Sequence, residues 1–265
     1  MERTDQRLIT LYQEAYKYLE DIVGKKVIED QLNYYHNYKP TSMTDVFHRM
    51  IETLKNKQGY VNFIANISDM KDILFEYDSQ AVVAAYGKDW RMLFDKFKER
   101  FGKKYRMDPD NKRGAWVTYS KGVLSCAKFA AGFESLNDFD KFVKSFFYNE
   151  YTVAALPMLL DREIFGFGFP LACDFLKELG YTKYGKPDVH LKDLFIALNI
   201  VDDDSDYETF KKIVKIGILV NQEPVIVDKV FWLIGSGNFN LANIKIPRQK
   251  EKFIEYFKRK YPNKK

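Results

Sequence analysis

Two glycines form the part of this chain whose spacing best suits the binding of a ligand. Gly166 and Gly168 stand one residue apart, directly before an apolar-periodic segment. Glycine permits left-handed backbone angles and leaves no side chain above a turn, so successive amides can point outward. The first amides of the following helix lack partners within that helix, and the helix dipole is positive there. This turn therefore predicts a surface that binds an anion such as a phosphate.

Asp188 is the ionisable residue of the same stretch, 22 residues after Gly166. It follows Pro187, which favours an extended chain just before it, and it precedes an apolar segment, so we expect it to cap a helix. A capping carboxylate accepts backbone N–H bonds, which favours the ionised form. Such a group can stabilise a developing cation or hold a water for attack. Taken separately, the glycine turn and Asp188 also fit purely structural roles.

Four further polar residues near this stretch or downstream of it have open interpretations. His190, two residues after Asp188, fits either a phosphate contact or a local cap. Lys183 and Lys186 fit either phosphate contacts or plain solvation. Asp228 follows a turn and precedes an apolar helix, which makes it the rival to Asp188 as the reactive carboxylate.

Apolar periodicity predicts a mostly α-helical protein. Residues 59–67 are apolar and partly alternating, so they fit either a short strand, as part of an N-terminal strand pair, or the start of a helix. Residues 34–38 are aromatic and polar and are predicted as a loop. Helices are predicted at residues 4–23, 44–57, 68–75, 80–86, 90–101, 115–132, 138–147, 151–162, 170–179, 189–200, 207–220, 225–234 and 247–261.

Residues 102–114 mark the clearest internal boundary of the sequence. They are polar, contain Pro and Gly, and carry more Lys and Arg than Asp. This composition is typical of an exposed loop, which fits either a solvated linker or a phosphate-facing segment. We therefore expect two lobes, residues 1–101 and residues 115–265, joined by a basic loop.

Composition narrows the class of protein. The chain has 265 residues, of which 46% are hydrophobic, and a net charge of +5, so it is globular and compatible with nucleic acid. No apolar run approaches the roughly 20 residues that span a bilayer, and the N-terminus lacks the apolar core of a signal peptide. Cys126 and Cys173 lie in apolar-periodic helices and are expected to be buried thiols. We expect a cytoplasmic protein that holds no zinc or iron–sulfur cluster.

The glycine turn and Asp188 together resemble a known enzyme family. The segment GFGFPLACD from Gly166, followed by KPDVH around Asp188, resembles the hairpin and catalytic aspartate of the helix-hairpin-helix DNA glycosylase superfamily. The resemblance is strongest to its 8-oxoguanine branch, including the archaeal-type enzymes. It extends over residues 115–237, whereas no motif places the N-terminal lobe. It implies a two-lobed helical glycosylase fold.

The resemblance also implies roles for single residues. Gly166 and Gly168 would grip a DNA phosphate through backbone amides, with a site for a monovalent cation at the hairpin. Asp188 would be the catalytic carboxylate. Bifunctional members of the family carry a Schiff-base lysine four residues after the first hairpin glycine, where this chain has Pro170. That difference favours base removal by water without strand cleavage.

A glycosylase must extrude its target nucleotide from the duplex, which requires a wedge and an aromatic pocket. The resemblance places Tyr119 and Lys121 where the family contacts or wedges DNA. Phe231 and Trp232 are the predicted pocket walls, although aromatic residues at helical spacing also fit a hydrophobic core.

The sequence thus predicts a monomeric, monofunctional DNA base-excision glycosylase that acts on double-stranded DNA. The excised base stays open: oxidised guanine, another damaged base, or a hypermodified phage base, in which case the protein would serve phage defence. A non-catalytic helix-hairpin-helix DNA-binding protein is the main alternative, and a helical protein-interaction domain is the third.

Overall fold

The computed structural model describes residues 3–34, 38–57 and 60–262. Within these ranges the chain forms thirteen α-helices and one two-stranded antiparallel sheet, which confirms the mostly α prediction. The helices are α1 (Arg3–Val23), α2 (Lys25–Asn33), α3 (Met43–Lys55), α4 (Ser79–Tyr86), α5 (Trp90–Phe101), α6 (Ala115–Ala130), α7 (Leu136–Ser145), α8 (Glu150–Glu163), α9 (Phe169–Glu178), α10 (Val189–Ala197), α11 (Asp206–Val220), α12 (Pro224–Ser236) and α13 (Lys250–Lys260).

The sheet lies near the C-terminus rather than in the first part of the chain. Strand β1 (Asn238–Phe239) pairs with β2 (Ile244–Lys245). In the described residues 60–67, the chain instead forms a 3₁₀ helix at Tyr60–Asn62 and enters another at Ile67–Met70, so the prediction of an N-terminal strand pair is wrong there. A partly alternating apolar pattern does not distinguish a strand from tight helical turns when the segment is short. Residues 58–59 and 35–37, the latter within the predicted loop, lie outside the described residues.

The chain forms two compact units, and their bounds differ from the predicted lobes. The first unit comprises Met1–Tyr38 and Leu176–Lys265, and the second comprises Lys39–Phe175. In the first unit α1 packs on α11, α12 and α13, so the N-terminal helix belongs with the C-terminal helices. In the second unit α6 packs on α3, α4 and α5, and residues 102–114 lie inside this unit.

The core of the first unit is built on the apolar face of α1. Leu8, Leu11, Ala15 and Leu19 recur at helical spacing, and all four are buried. On another face of α1, Glu14 accepts hydrogen bonds from the hydroxyls of two tyrosines of the α13 region, Tyr256 and Tyr261, and from Lys260. Burial opposes the ionisation of Glu14, but these hydrogen bonds outweigh it and lower the pKa of the carboxyl to about 2.

The core of the second unit surrounds α6. Trp116 of this helix stacks on Phe101 of α5, with ring centroids 5.5 Å apart, and also contacts Phe97. Cys126 of α6 and Cys173 are buried thiols that form no disulfide within the described residues, as the sequence predicts. Burial raises the pKa of the Cys126 thiol, so this group behaves as a small hydrophobic side chain.

Among the described residues, no helix combines the length and apolar character that crossing a lipid bilayer requires. Within the same ranges, His, Cys, Asp and Glu side chains form no group of three or more that could hold a metal ion.

Candidate functional site

The glycine turn precedes α9, as predicted, but its two glycines do different things. Gly166 has φ +93°, and a Cβ there would lie 3.2 Å from Leu54 Cδ2. Gly168 is outside the left-handed region, and within the described ranges a Cβ there would meet only Pro170 Cδ, at 3.9 Å. Gly166 is therefore required by backbone conformation. Gly168 stands at the start of α9, where its carbonyl accepts the Ala172 N–H at 2.9 Å, and its lack of a Cβ leaves the space above that first turn open.

Helix α6 packs directly against the glycine turn. A Cβ on Gly122 would lie 3.1 Å from the Phe165 carbonyl oxygen and 2.9 Å from Leu54 Cδ1, so the helix reaches the turn only because residue 122 is glycine. Three residues later, Ser125 Oγ accepts the Phe165 N–H at 2.9 Å. Sequence reasoning missed both residues. The available signal was the pair of small residues on one helix, three positions apart.

Lys121 lies beside the glycine turn, between two aromatic rings. Its Nζ is 4.8 Å from the centroid of the Trp90 ring and 5.9 Å from that of Phe165. Phe165 is 49% exposed, so this side of the turn presents an aromatic ring and a cation to solvent. The structure places Lys121 beside the glycine turn and next to Trp90, which sequence reasoning did not single out, and a DNA contact by Lys121 stays a prediction.

Tyr119 is a core residue, which corrects its prediction as a DNA wedge. Its side chain is fully buried, and its hydroxyl donates a long hydrogen bond of 3.4 Å to the Ile51 carbonyl. Residues two apart on a helix point about 200° apart, so Tyr119 faces inward where Lys121 faces outward. The resemblance named both residues without distinguishing the two faces of α6.

Asp188 caps α10, which confirms the predicted N-cap. Its Oδ1 accepts the backbone N–H groups of His190 at 2.8 Å and Leu191 at 3.2 Å. Within the described part of the chain, Oδ2 has no hydrogen-bond donor. The cap therefore fixes the orientation of the carboxylate and leaves one of its oxygens available to a ligand.

Burial raises the pKa of Asp188 above its ordinary value, and the Asp228 carboxylate raises it further. The Leu191 amide, His190 and Lys186 act in the opposite direction and do not cancel these effects. The sequence argument considered only the capping bonds, which favour ionisation, because burial is not visible in a local motif.

Asp228, the rival carboxylate, is already engaged. It is 2% exposed, and its Oδ2 lies 3.2 Å from Lys177 Nζ and 2.9 Å from the Lys186 backbone nitrogen. Asp188 is less buried, and among the residues that the structure describes its Oδ2 has no such partner. This arrangement favours Asp188 as the carboxylate that meets a substrate.

His190 packs on a glycine of α12. A Cβ on Gly235 would lie 2.5 Å from His190 Cβ, so the ring fits only because residue 235 has no side chain. His190 Nδ1 is buried and has no hydrogen-bond partner among the described residues. Lys183 is exposed and Lys186 is partly exposed, and both lie in the segment that leads to Asp188.

The two predicted pocket residues behave differently. Phe231 is fully buried against Tyr12 and Phe195, with ring centroids 6.4 Å and 5.2 Å away, so it is a core residue and its prediction as a pocket wall is wrong. Trp232 is partly exposed, and Lys229 Nζ stands 3.9 Å from the centroid of its ring. Neighbouring residues on a helix diverge by about 100°, so only one of them faces the interior.

The predicted site residues are distributed over both units. The glycine turn and Lys121 belong to the second unit. The segment 183–190 and Trp232 belong to the first unit, and α9 contains the division between the two units.

Comparisons with known proteins show the fold. No protein-family model matches the sequence, and no curated protein matches it. The 8-oxoguanine DNA glycosylase of Methanocaldococcus jannaschii superposes with a TM-score of 0.54 at 16% identity, covering 89% of this chain and 99% of that chain. The 8-oxoguanine glycosylase/lyase of the same organism, in complex with a 15mer DNA containing 8-oxoguanine, gives a TM-score of 0.51 at 18% identity, covering 85% and 96%. The chain has the helical fold of these glycosylases, which confirms the predicted resemblance at the level of the fold.

Proposed function

We propose that this protein is a DNA base-excision glycosylase that uses Asp188 as its catalytic carboxylate. The observation that carries the proposal is the geometry of Asp188. Two backbone amides hold its Oδ1 at the start of α10, while Oδ2 has no donor among the described residues. The likeness of the fold to two 8-oxoguanine glycosylase structures supports this class of reaction.

The chemistry follows from the position of the carboxylate. As the N-glycosidic bond breaks, positive charge develops on the sugar, and a fixed carboxylate stabilises that charge or orients the attacking water. Partial burial strengthens the interaction, because a low dielectric screens charges less than water does. Asp188 acts in its ionised form, so its raised pKa predicts an acid limb in the pH profile of excision.

The other residues would bind and distort the DNA. We assign the phosphate contact to the amides at Gly166 and Gly168, and backbone contacts to Lys121, Lys183, Lys186 and His190. Trp232 is the remaining candidate for a base-pocket wall. Alternating glycines and helix-terminal amides suit a phosphate, whereas lysines supply salt-dependent attraction along the duplex.

A monovalent cation at the hairpin is part of this proposal. The turn offers backbone carbonyl oxygens, the ligand type that sodium and potassium take in proteins. Such an ion would help to hold a phosphate at the turn. No chemical step passes through it.

We propose that excision proceeds by water alone and leaves an abasic site. Pro170, in the first turn of α9, has no amine at the position where bifunctional relatives carry their lysine. A wild-type reaction on duplex DNA should therefore release free base without strand cleavage, and borohydride should trap no protein–DNA adduct. A trapped adduct would contradict the monofunctional assignment.

The test is base release from a panel of duplexes and modified genomic DNAs. Oxidised guanine is tested first because both structural neighbours are 8-oxoguanine glycosylases. Other damaged bases and hypermodified phage bases follow. We expect the Asp188→Asn variant to remain a monomer and to bind DNA, but to release no base. Asp193→Asn is the matched control, because Asp193 lies on the same helix and pairs with Lys250 on its exposed side. Excision that persists in Asp188→Asn would remove the catalytic assignment.

A non-catalytic helix-hairpin-helix DNA-binding protein is the second candidate. The burial of Tyr119 and Phe231 favours it, since neither the predicted wedge nor one predicted pocket wall is available. Such a protein would bind duplex DNA with a steep salt dependence and would release no base from any member of the panel.

A further inference from the structure

Asp228 is a buried carboxylate to which the proposed mechanism gives no role. It lies in α12 with its side chain 3% exposed, and its partner Lys177 of α9 is 10% exposed. Charged groups this deeply buried are costly to desolvate, and they persist where pairing and hydrogen bonds compensate. The Oδ2 atom of Asp228 has two donors, Lys177 Nζ at 3.2 Å and the Lys186 backbone N–H at 2.9 Å.

The second of these bonds leads to Asp188. Lys186 donates its N–H to Asp228 and accepts the Asp188 N–H on its own carbonyl, at 2.9 Å. Just before it, Gly185 packs so closely that a Cβ would lie 3.1 Å from Asp228 Cβ and 2.8 Å from the Pro224 carbonyl oxygen. The segment 185–188 is therefore pressed against the first half of α12, with Asp228 as its anchor.

We propose that Asp228 is a positioning residue for Asp188. Paired with Lys177, it anchors the segment 185–188 by its hydrogen bond to the Lys186 backbone. Its charge also sets the lowest pH at which Asp188 still acts as an ionised carboxylate in base excision. This inference rests on the proposed function, since that limit is read from base excision. Asp228 itself does not touch the substrate.

The charges around Asp188 fix the direction of the expected effects. Asp228 from α12 opposes the ionisation of Asp188, whereas Lys186 from the preceding segment and His190 from its own helix favour it. The other helices that pack on α10 contribute ion pairs further along it. Lys192 of α10 pairs with a carboxylate of α11, and Asp193 pairs with Lys250 of α13.

Two substitutions should therefore act in opposite directions. Asp228→Asn removes the neighbouring negative charge that opposes the ionisation of Asp188, so Asp188 should ionise at lower pH. Lys177→Met removes the counter-ion and leaves Asp228 as an unbalanced negative charge, so Asp188 should ionise at higher pH. We expect the pH at which Asp188 ionises to move by about half a unit or more in each variant, as is typical of interacting charges in a partly buried site.

The experiment is the pH dependence of single-turnover base release. We expect the acid limb to move to lower pH in Asp228→Asn and to higher pH in Lys177→Met. Asp206→Asn makes the same charge change at Asp206 of α11, the partner of Lys192 of α10, and should leave the acid limb at its wild-type pH. Both variants could instead release base more slowly at every pH while the acid limb stays at its wild-type pH. That result would mean that Lys177 and Asp228 only support the fold, and it would overturn the proposal.

A second measurement keeps the inference separate from the proposed function. The NMR titration of the ¹³Cγ resonance of Asp188, assigned with Asp188→Asn, reports its ionisation without any DNA. The same opposite displacements should appear there, in whichever of the two variants folds. Displacements in a protein that releases no base would support the positioning role and refute the proposed function. A resonance that titrates identically in wild type and a folded variant would refute the positioning role.

Discussion

Replacing the two hairpin glycines one at a time separates backbone conformation from ligand access. Gly166→Ala places a side chain at φ +93°, where L residues are strained, and brings a methyl group 3.2 Å from Leu54 Cδ2. Gly168→Ala adds the same methyl group in an ordinary backbone conformation, where the nearest neighbouring atom among the described residues is Pro170 Cδ, at 3.9 Å. The first change should act on folding, and the second on whatever approaches the turn.

The magnitudes follow from the conformations. A left-handed L residue costs about 1–2 kcal/mol, and the Leu54 contact adds little because a side-chain methyl can move, so Gly166→Ala should lose about 1–2 kcal/mol of unfolding free energy. Gly168→Ala loses some N-cap preference and gains from reduced unfolded-state entropy, so its stability should stay within about 1 kcal/mol of wild type. Blocking a charge-assisted amide–phosphate bond of about 1.5–3 kcal/mol should weaken duplex binding about tenfold or more.

The assays are urea unfolding and duplex DNA binding at one fixed salt concentration. Gly24→Ala is the control, because Gly24 also has a positive φ, +85°, but no atom of the described residues lies within 4 Å of an added Cβ. It should lose stability like Gly166→Ala and keep its DNA affinity, the reverse of Gly168→Ala. If Gly168→Ala binds duplex DNA like wild type, the hairpin is not the phosphate site. If Gly166→Ala unfolds at the wild-type urea midpoint, the conformational argument fails.

Two further predictions concern residues away from the chemistry. The folded pKa of Glu14, about 2, lies below the ordinary value of 4.5, so its hydrogen bonds contribute stability above about pH 5 that is lost as the pH falls towards 2. Glu14→Gln should therefore lose about 1–2 kcal/mol at pH 7 and converge with wild type in acid, measured by urea unfolding across pH; an equal gap at both pH values would contradict this. Tyr119→Phe should keep both stability, within about 1 kcal/mol, and DNA affinity, because the lost hydrogen bond is long, whereas Tyr119→Ala should lose about 3–5 kcal/mol. A large loss of DNA affinity in Tyr119→Phe would show that the hydroxyl reaches DNA after all.

Local features of the sequence predicted local structure well. Helix α9 starts and ends within a residue of its predicted bounds, because a glycine turn precedes it and Gly180, at φ +85°, follows it. Asp188 caps α10 as expected, since a Pro-Asp pair before an apolar run limits the alternatives. Helix ends and caps depend on residues only a few positions away, so they can be read from the sequence itself.

Features that depend on distant contacts escaped the sequence argument. The pair of Lys177 and Asp228 joins residues 51 apart, and nothing local to either marks them as partners. The first unit unites α1 with α11, α12 and α13, and no local feature of the sequence marks these distant helices as neighbours. Tyr119 and Phe231 were predicted as DNA-site residues because they are aromatic, but both side chains point into the hydrophobic core.

Base release by wild type and by Asp188→Asn, compared at equal occupancy of a duplex that carries the modified base, tests the central claim most directly. The account predicts that wild type releases free base under single-turnover conditions and leaves an abasic site, while Asp188→Asn binds the same duplex and releases none. Release at the wild-type rate by Asp188→Asn, or stable binding of every duplex by wild type with no release, would contradict it.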